Sequence, residues 1–162
     1  MQPVIRQAKD DDFDAIGRLF FETIRSVNLR DYTPEQAAAW APAVWNGEEW
    51  RKRLQGQVVL VAAEGPMVVG FVSIEPNGHV DFLYVHKDRQ RRGIGSALLG
   101  RVVDAAFARG VSAVFTESSI TAKPLFEKMG FEVVEPEDVV RSGVSFHRYV
   151  MRLDLAKKKV IG

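Results

Sequence analysis

The residues able to do chemistry gather in one stretch of this chain, His79 to Leu99. It opens His-Val-Asp-Phe-Leu-Tyr-Val, a short apolar and aromatic run of the kind that forms a buried strand. It passes through His86-Lys87-Asp88-Arg89 into Gln90-Arg91-Arg92-Gly93-Ile94-Gly95-Ser96, then enters an apolar helical pattern. Glycines at 93 and 95 let bare backbone N–H groups approach a ligand, and the helix that follows aims its positive dipole end at the same place. Arg89, Arg91 and Arg92 add full charges, so the stretch reads as an anion site suited to a phosphate or pyrophosphate.

Two common phosphate loops are excluded by spacing. A nucleoside triphosphate loop needs Lys and Ser/Thr after its last glycine, and no Lys follows Gly95. A dinucleotide fingerprint needs a third glycine at position 98, which is Leu, and a start directly after the strand. The run Gln90-Arg91-Arg92-Gly93-Ile94-Gly95 does match the Gln/Arg-x-x-Gly-x-Gly/Ala loop of the GNAT acetyltransferases. Leu83-Tyr84-Val85 looks like that family's central strand. The chain therefore resembles a GNAT protein, against the blander reading of a Gly- and Arg-rich surface turn.

The elements that must position this loop can be read in order. Val4 to Ala8 forms a first strand, stopped by Lys9-Asp10-Asp11-Asp12, where an Asp can cap the next helix. Phe13, Ile16, Phe20 and Ile24 keep helical spacing. Thr33-Pro34-Glu35-Gln36 places a capping Thr, a first-turn Pro and a reciprocal Gln at a second helix, Pro34 to about Ala41, and a short helix over Glu48 to Leu54 is compatible with the sequence. Gln57 to Ala63, Met67 to Ile74 and His79 to Val85 read as three antiparallel strands joined by Glu64-Gly65-Pro66 and Pro76-Asn77-Gly78. Gly95 to Arg109 reads as a crossover helix, so Val111 to Thr116 should run parallel to the strand before it. A polar loop, Glu117 to Thr121, leads to a helix over Ala122 to Met129. The last strands are Phe131 to Val134 and Val144 to Leu155, joined by a charged connection, Glu135 to Gly143.

The expected fold is α/β (α+β): one GNAT-like domain over 1–156, with about seven strands in a mixed sheet, an antiparallel first half, a splayed parallel pair at the centre, and about four helices. Residues 157–162 form a basic tail expected to be disordered. With 162 residues, 46% of them hydrophobic, the chain can build one substantial core. A net charge of +1 argues against nucleic acid or a membrane surface as a partner, and no apolar run approaches the roughly 20 residues a spanning helix needs. The absence of cysteine excludes thiolate metal sites and a cysteine acyl-enzyme, and fits a cytoplasmic location.

The resemblance implies acetyl-CoA as co-substrate, no metal, and direct acetyl transfer to a primary amine of a small molecule or peptide. It places the pyrophosphate on the N–H groups of Gln90, Arg91, Arg92, Gly93, Ile94, Gly95 and Ser96. The pantetheine arm lies along Leu83, Tyr84 and Val85, with Ser118 or Ser119 where many relatives carry Asn to hold it. A backbone N–H near Leu83 or Tyr84 would meet the oxyanion. Phe126, in Leu-Phe-Glu-Lys-Met-Gly-Phe, stands where the family often has a Tyr acid, leaving Tyr84 or Tyr32 as substitutes.

An alkyl ammonium has a pKa of about 10.4, so an attacking amine must lose a proton. Candidate bases are Asp81, Glu22, Glu75, His79 and Glu117. Asp81 leads, because it shares a strand face with Leu83, although a simple hydrogen-bonded carboxylate is an equal alternative. His79, His86 and His147 read as solvent-facing strand residues. Tyr32, Trp40, Trp45 and Trp50 either line an acceptor pocket or pack irregular helices on the sheet, with Tyr32 and Trp40 the preferred acceptor contacts. A non-catalytic acyl-CoA sensor is the competing function. The acceptor and the oligomeric state, a homodimer included, are open.

Overall fold

The computed structural model describes residues 2–156. Strands β1 (Val4–Gln7), β2 (Val58–Glu64), β3 (Met67–Ile74) and β4 (Val80–Val85) form an antiparallel sheet in that order. Strands β5 (Ala113–Ser119), β6 (Glu132–Arg141) and β7 (Val144–Asp154) form a second, ordered β5-β7-β6. The helices are α1 (Phe13–Ile24), α2 (Pro34–Trp40), α3 (Gly47–Arg53), α4 (Ile94–Ala108) and α5 (Lys123–Lys128).

The seven strands agree with the sequence, but the expected mixed sheet is two antiparallel sheets that barely join. β4 and β5 run parallel as the crossover requires, yet share a single bridge, His79 to Phe115. It is supported by the Phe115 N–H donating to Gly78 O (3.0 Å) and the Thr116 hydroxyl donating to Val80 O (2.9 Å). At this junction a Cβ on Gly78 would lie 2.3 Å from Ala113 O, and φ there is +97°, so glycine is required on both counts. Beyond the bridge the strands diverge and leave one edge of β4 without a backbone partner among the described residues.

Both faces of the first sheet are covered. Leu98, Leu99 and Val102 of α4 pack on Val69 and Val72 of β3, while Ile16 and Leu19 of α1 and Trp50 of α3 pack on Val61 and Phe71. Leu98 is fully buried, so truncation to Ala costs about 2–5 kcal/mol.

The Thr33 cap forms as read: its hydroxyl accepts from Gln36 N (3.1 Å) while Gln36 Oε1 accepts from Thr33 N (2.9 Å). Helix α3 has the same reciprocal device between Asn46 and Glu49. Asp12 differs from expectation. Its carboxylate takes the Lys9 N–H (2.7 Å) and a guanidinium fork from Arg6 (2.7 and 3.0 Å), so it closes the strand-to-helix turn instead of capping α1. The Arg6 bond holds this carboxyl below its ordinary pKa.

Two boundaries are corrected. The charged connection Glu135 to Gly143 is strand as far as Arg141, and the turn is Ser142-Gly143, both with positive φ. Among the described residues β6 pairs only with β7, so most of its side chains meet water and its composition imitates a loop. β5 continues through Ser119, which places Glu117, Ser118 and Ser119 on a strand. Lys157 to Gly162, read as a tail, lie outside the described residues.

Candidate active site

Gly93 is the N-cap of α4 at φ +79°, a left-handed conformation that side chains resist, and it turns the loop so that the first N–H groups of α4 face outward. Gly95 answers a different need: a Cβ there would stand 2.8 Å from Leu125 Cδ2 of α5. Gln90, Arg91, Gly93, Ile94, Gly95 and Ser96 line a cavity of about 370 Å³ with Leu125 and Lys128. Of the three arginines credited with charge here, Arg89 is spent on Glu64 (Nε to Oε1, 2.9 Å) and Arg92 lies outside the cavity lining. Lys128, from α5, supplies a cation that the loop motif gave no reason to expect.

From this loop a groove of about 140 Å³ runs between the splayed strands. Leu83, Tyr84, Val85 and Gln90 form one wall, Ser119 and Phe126 part of the other. Gln90 Nε2 donates to Val85 O (2.7 Å), tying the loop to the end of β4. Ser119 Oγ accepts from Ala122 N (3.0 Å), and Phe126 packs edge-on against Phe131 with centroids 5.1 Å apart.

The groove meets a second cavity of about 230 Å³, walled by Trp40, Trp45, Trp50, Phe82 and Tyr84 and edged by Arg53, Arg141 and Arg148. Trp40, Asp81, Tyr84 and Glu117 line both spaces. Trp50 also serves the core, where it is 1% exposed. The Tyr32 hydroxyl is fully used, donating to His147 O and accepting from Ile120 N (both 2.9 Å), so only its ring reaches a small adjoining cavity beside Trp40. Glu22 is on the exposed side of α1 and lines none of these spaces, because α1 buries Leu19 and Thr23 instead.

The electrostatics separate the candidate bases. Asp81 is held in a bidentate fork by Arg53 (2.6 and 3.0 Å) and also accepts from Gln57 Nε2 (2.7 Å). Its geometry is that of the hydrogen-bonded alternative. His79 is not a solvent-facing strand end: Nδ1 lies 2.6 Å from Glu75 Oε1 and Nε2 lies 2.9 Å from Glu117 Oε1. The Glu117 bond raises its pKa to about 9, with Glu75 adding to the effect against the opposing cost of burial. The same bond lowers Glu117 below the ordinary carboxylate value. Burial pushes the Tyr84 phenol up, so it stays protonated. His86 accepts from Asp88 N (3.0 Å) in the turn after β4, and His147 pairs with Asp138 (2.9 Å). Glu75, His79 and Asp81 bring possible ligand atoms within 4.8 Å of one another, but each already has a charged partner.

A family model described as an acetyltransferase (GNAT) domain matches residues 28–153. The chain belongs to the GNAT acetyltransferase family. This GNAT chain is 32% identical over 148 residues to the uncharacterised N-acetyltransferase YafP of Escherichia coli (strain K12), covering 91% of this chain and 93% of the relative. It is similar to the crystal structure of a GCN5-related N-acetyltransferase from Rhodopseudomonas palustris, at 30% identity and TM-score 0.89, over 96% of this chain and 97% of that one. It shares its fold with PaiA N-acetyltransferase from Thermoplasma acidophilum, whose structure is a complex with coenzyme A, at 17% identity and TM-score 0.75, over 95% and 99% of the two chains. Among the described residues of the GNAT chain no helix is long and apolar enough to cross a membrane.

Proposed function

We propose that this enzyme moves an acetyl group from acetyl-CoA directly to a primary amine of a small molecule or peptide. The observation that carries the reading is the meeting of the β4–β5 groove with the aromatic cavity at Tyr84 and Glu117. One space suits a thioester arm, the other an acceptor, and the two reactants can touch only where they join.

The diphosphate rests on the N–H groups between Arg91 and Ser96, with Lys128 beside it. The pantetheine amides pair with the free edge of β4 along Leu83 to Val85, as an added strand would, and its chain passes Ser119 and Phe126. The acceptor's ammonium meets Glu117, which lines both spaces and whose Oε1 is engaged by His79. A carboxylate with a lowered pKa is a poor final resting place for a proton from a group of about 10.4. The His79 imidazole, at about 9, is far better matched. Below about 9 most His79 already carries its proton, so the accepting form is the neutral imidazole with its Nδ1–H on Glu75: the proton passes through Glu117 to the unprotonated Nε2, and Asp81 stays in its fork to hold Arg53. The amine lone pair attacks the thioester carbon, and the resulting oxyanion takes the backbone N–H near Leu83 or Tyr84. The C–S bond then breaks. A thiol of about 8.5 cannot draw the proton off a buried phenol, so Tyr84 stabilises the departing sulfur as a hydrogen-bond donor and keeps its own proton.

The test is calorimetric titration with acetyl-CoA together with free-thiol release against amines, amino acids and basic peptides. Binding with release that depends on an amine supports the reading. Tight binding without release across the panel indicates an acyl-CoA-binding module instead.

A further inference from the structure

The acceptor cavity holds more charge than an amine alone can use. Two of its three arginines are neutralised internally: Arg53 by Asp81, at 2.6 Å, and Arg148 by Glu137. Arg141, at the end of β6 beside the Ser142-Gly143 turn, has no carboxylate within salt-bridge distance among the described residues. It lines both the 230 Å³ cavity and the smaller one next to it, and Glu117 lines both as well. The space between the aromatic walls therefore has an anion, Glu117, already bonded to His79, and a planar cation with no carboxylate partner among the described residues. Arginine's fork is suited to a carboxylate or phosphonate, which it can bind through two parallel hydrogen bonds. A simple amine would satisfy Glu117 and leave Arg141 facing apolar substrate. The volume is below the roughly 300–1,000 Å³ of drug-sized ligand sites, which suits a body the size of one amino acid.

We infer that the acceptor is a small amphoteric amine: a free amino acid with an apolar or aromatic side chain, its ammonium on Glu117, its carboxylate on Arg141, and its side chain against Trp40, Trp45 and Phe82. This rests on the amine-acetylation reading above. It also gives the β6–β7 hairpin a task, since the residue that selects the substrate is carried by its tip.

Matched pairs of acceptors test it: L-phenylalanine against phenethylamine, and L-leucine against isopentylamine, each followed by thiol release in the wild-type enzyme and in Arg141→Gln. The amino acid should exceed its decarboxylated partner in kcat/KM by about tenfold or more, the amount expected for a charge-assisted hydrogen bond. In R141Q that ratio should fall to near one, through KM rather than kcat, with acetyl-CoA affinity unchanged. Because Arg141 is exposed, the variant is expected to fold. Equal or better turnover of the carboxylate-free amines, a preference that survives R141Q, or turnover confined to basic peptides would each overturn the proposal while leaving acetyl transfer standing. Acetyl-CoA binding without thiol release from any acceptor would overturn both.

Discussion

The two ends of the site are built on different principles. The anion loop is nearly contiguous and made largely of backbone: Gln90 to Ser96 provide its turn, its N–H groups and its helix start, Val85 and Arg89 precede them, and Leu125 and Lys128 join from α5. The acceptor cavity is made of side chains drawn from α1, α2, α3, β4, β5, β6 and β7. A backbone site depends on a few permissive residues and tolerates change elsewhere. A side-chain site spreads its specificity over distant positions, each of which can be altered alone. Recognition of the cofactor should thus be brittle at single points, and recognition of the acceptor graded.

The brittleness of the anion loop is greatest at Gly93. Gly93→Val, forced into φ +79°, should weaken acetyl-CoA binding by a hundredfold or more in calorimetry, whereas removing the side chain of Arg92 should cost little. Near-normal affinity in the Val variant would mean that the loop is not the phosphate site. Next in size is the proton path. Glu117→Gln should lower kcat by about 10²-fold, within the usual range for acid–base groups, with acetyl-CoA affinity kept. Asp81→Asn should have the smaller effect on kcat, and the reverse order would return the base to Asp81.

A third effect, of order 2 kcal/mol, concerns pH. His79 has a folded pKa of about 9, above the unfolded value of about 6.5, so protonated imidazolium stabilises the fold. That contribution is complete below about 6.5 and is lost as pH rises through about 9. Thermal melting should show the decline between these values, and His79→Gln should flatten it. Over the same interval kcat/KM should rise, because only unprotonated His79 can accept. The smallest effect is at Tyr32. Tyr32→Phe removes the hydroxyl that joins β7 to the start of the α5 loop, and should lower stability by about 1–3 kcal/mol while leaving acceptor preference intact. A changed preference would return Tyr32 to the acceptor contacts.

This contrast explains what could be read from the sequence. The loop was legible because its main requirements are local: glycine for a tight turn, a helix start, and a strand before it, whereas the need for glycine at 95 against Leu125 of α5 was not. The Thr33 box and the three Val-rich strands were legible for the same reason. Glu117 was nameable as a carboxylate but not as the centre of the site, because its partner His79, itself bonded to Glu75, comes from the far side of the β4–β5 junction. Arg53, Arg141 and Arg148 carried no signal at all. In the sequence they are ordinary surface cations, and only the topology brings them to one cavity. The long β6 was hidden by its composition, since Glu135-Pro136-Glu137-Asp138 reads as a turn unless one knows that the strand pairs on one side only.

The lone bridge between the two sheets has a thermodynamic consequence. Each sheet is internally zipped, but the seam between them is held by the His79–Phe115 bridge, two supporting hydrogen bonds and the His79–Glu117 pair. A ligand that bonds the free edge of β4 supplies cross-links that the polypeptide omits, and it does so only in the native state. Its binding energy is then folding energy: at a hundred times its Kd it adds about 2.7 kcal/mol to the unfolding free energy. Melting temperature becomes a direct gauge of occupancy, and the seam should be the first part of the molecule to exchange its amide protons when the groove is vacated.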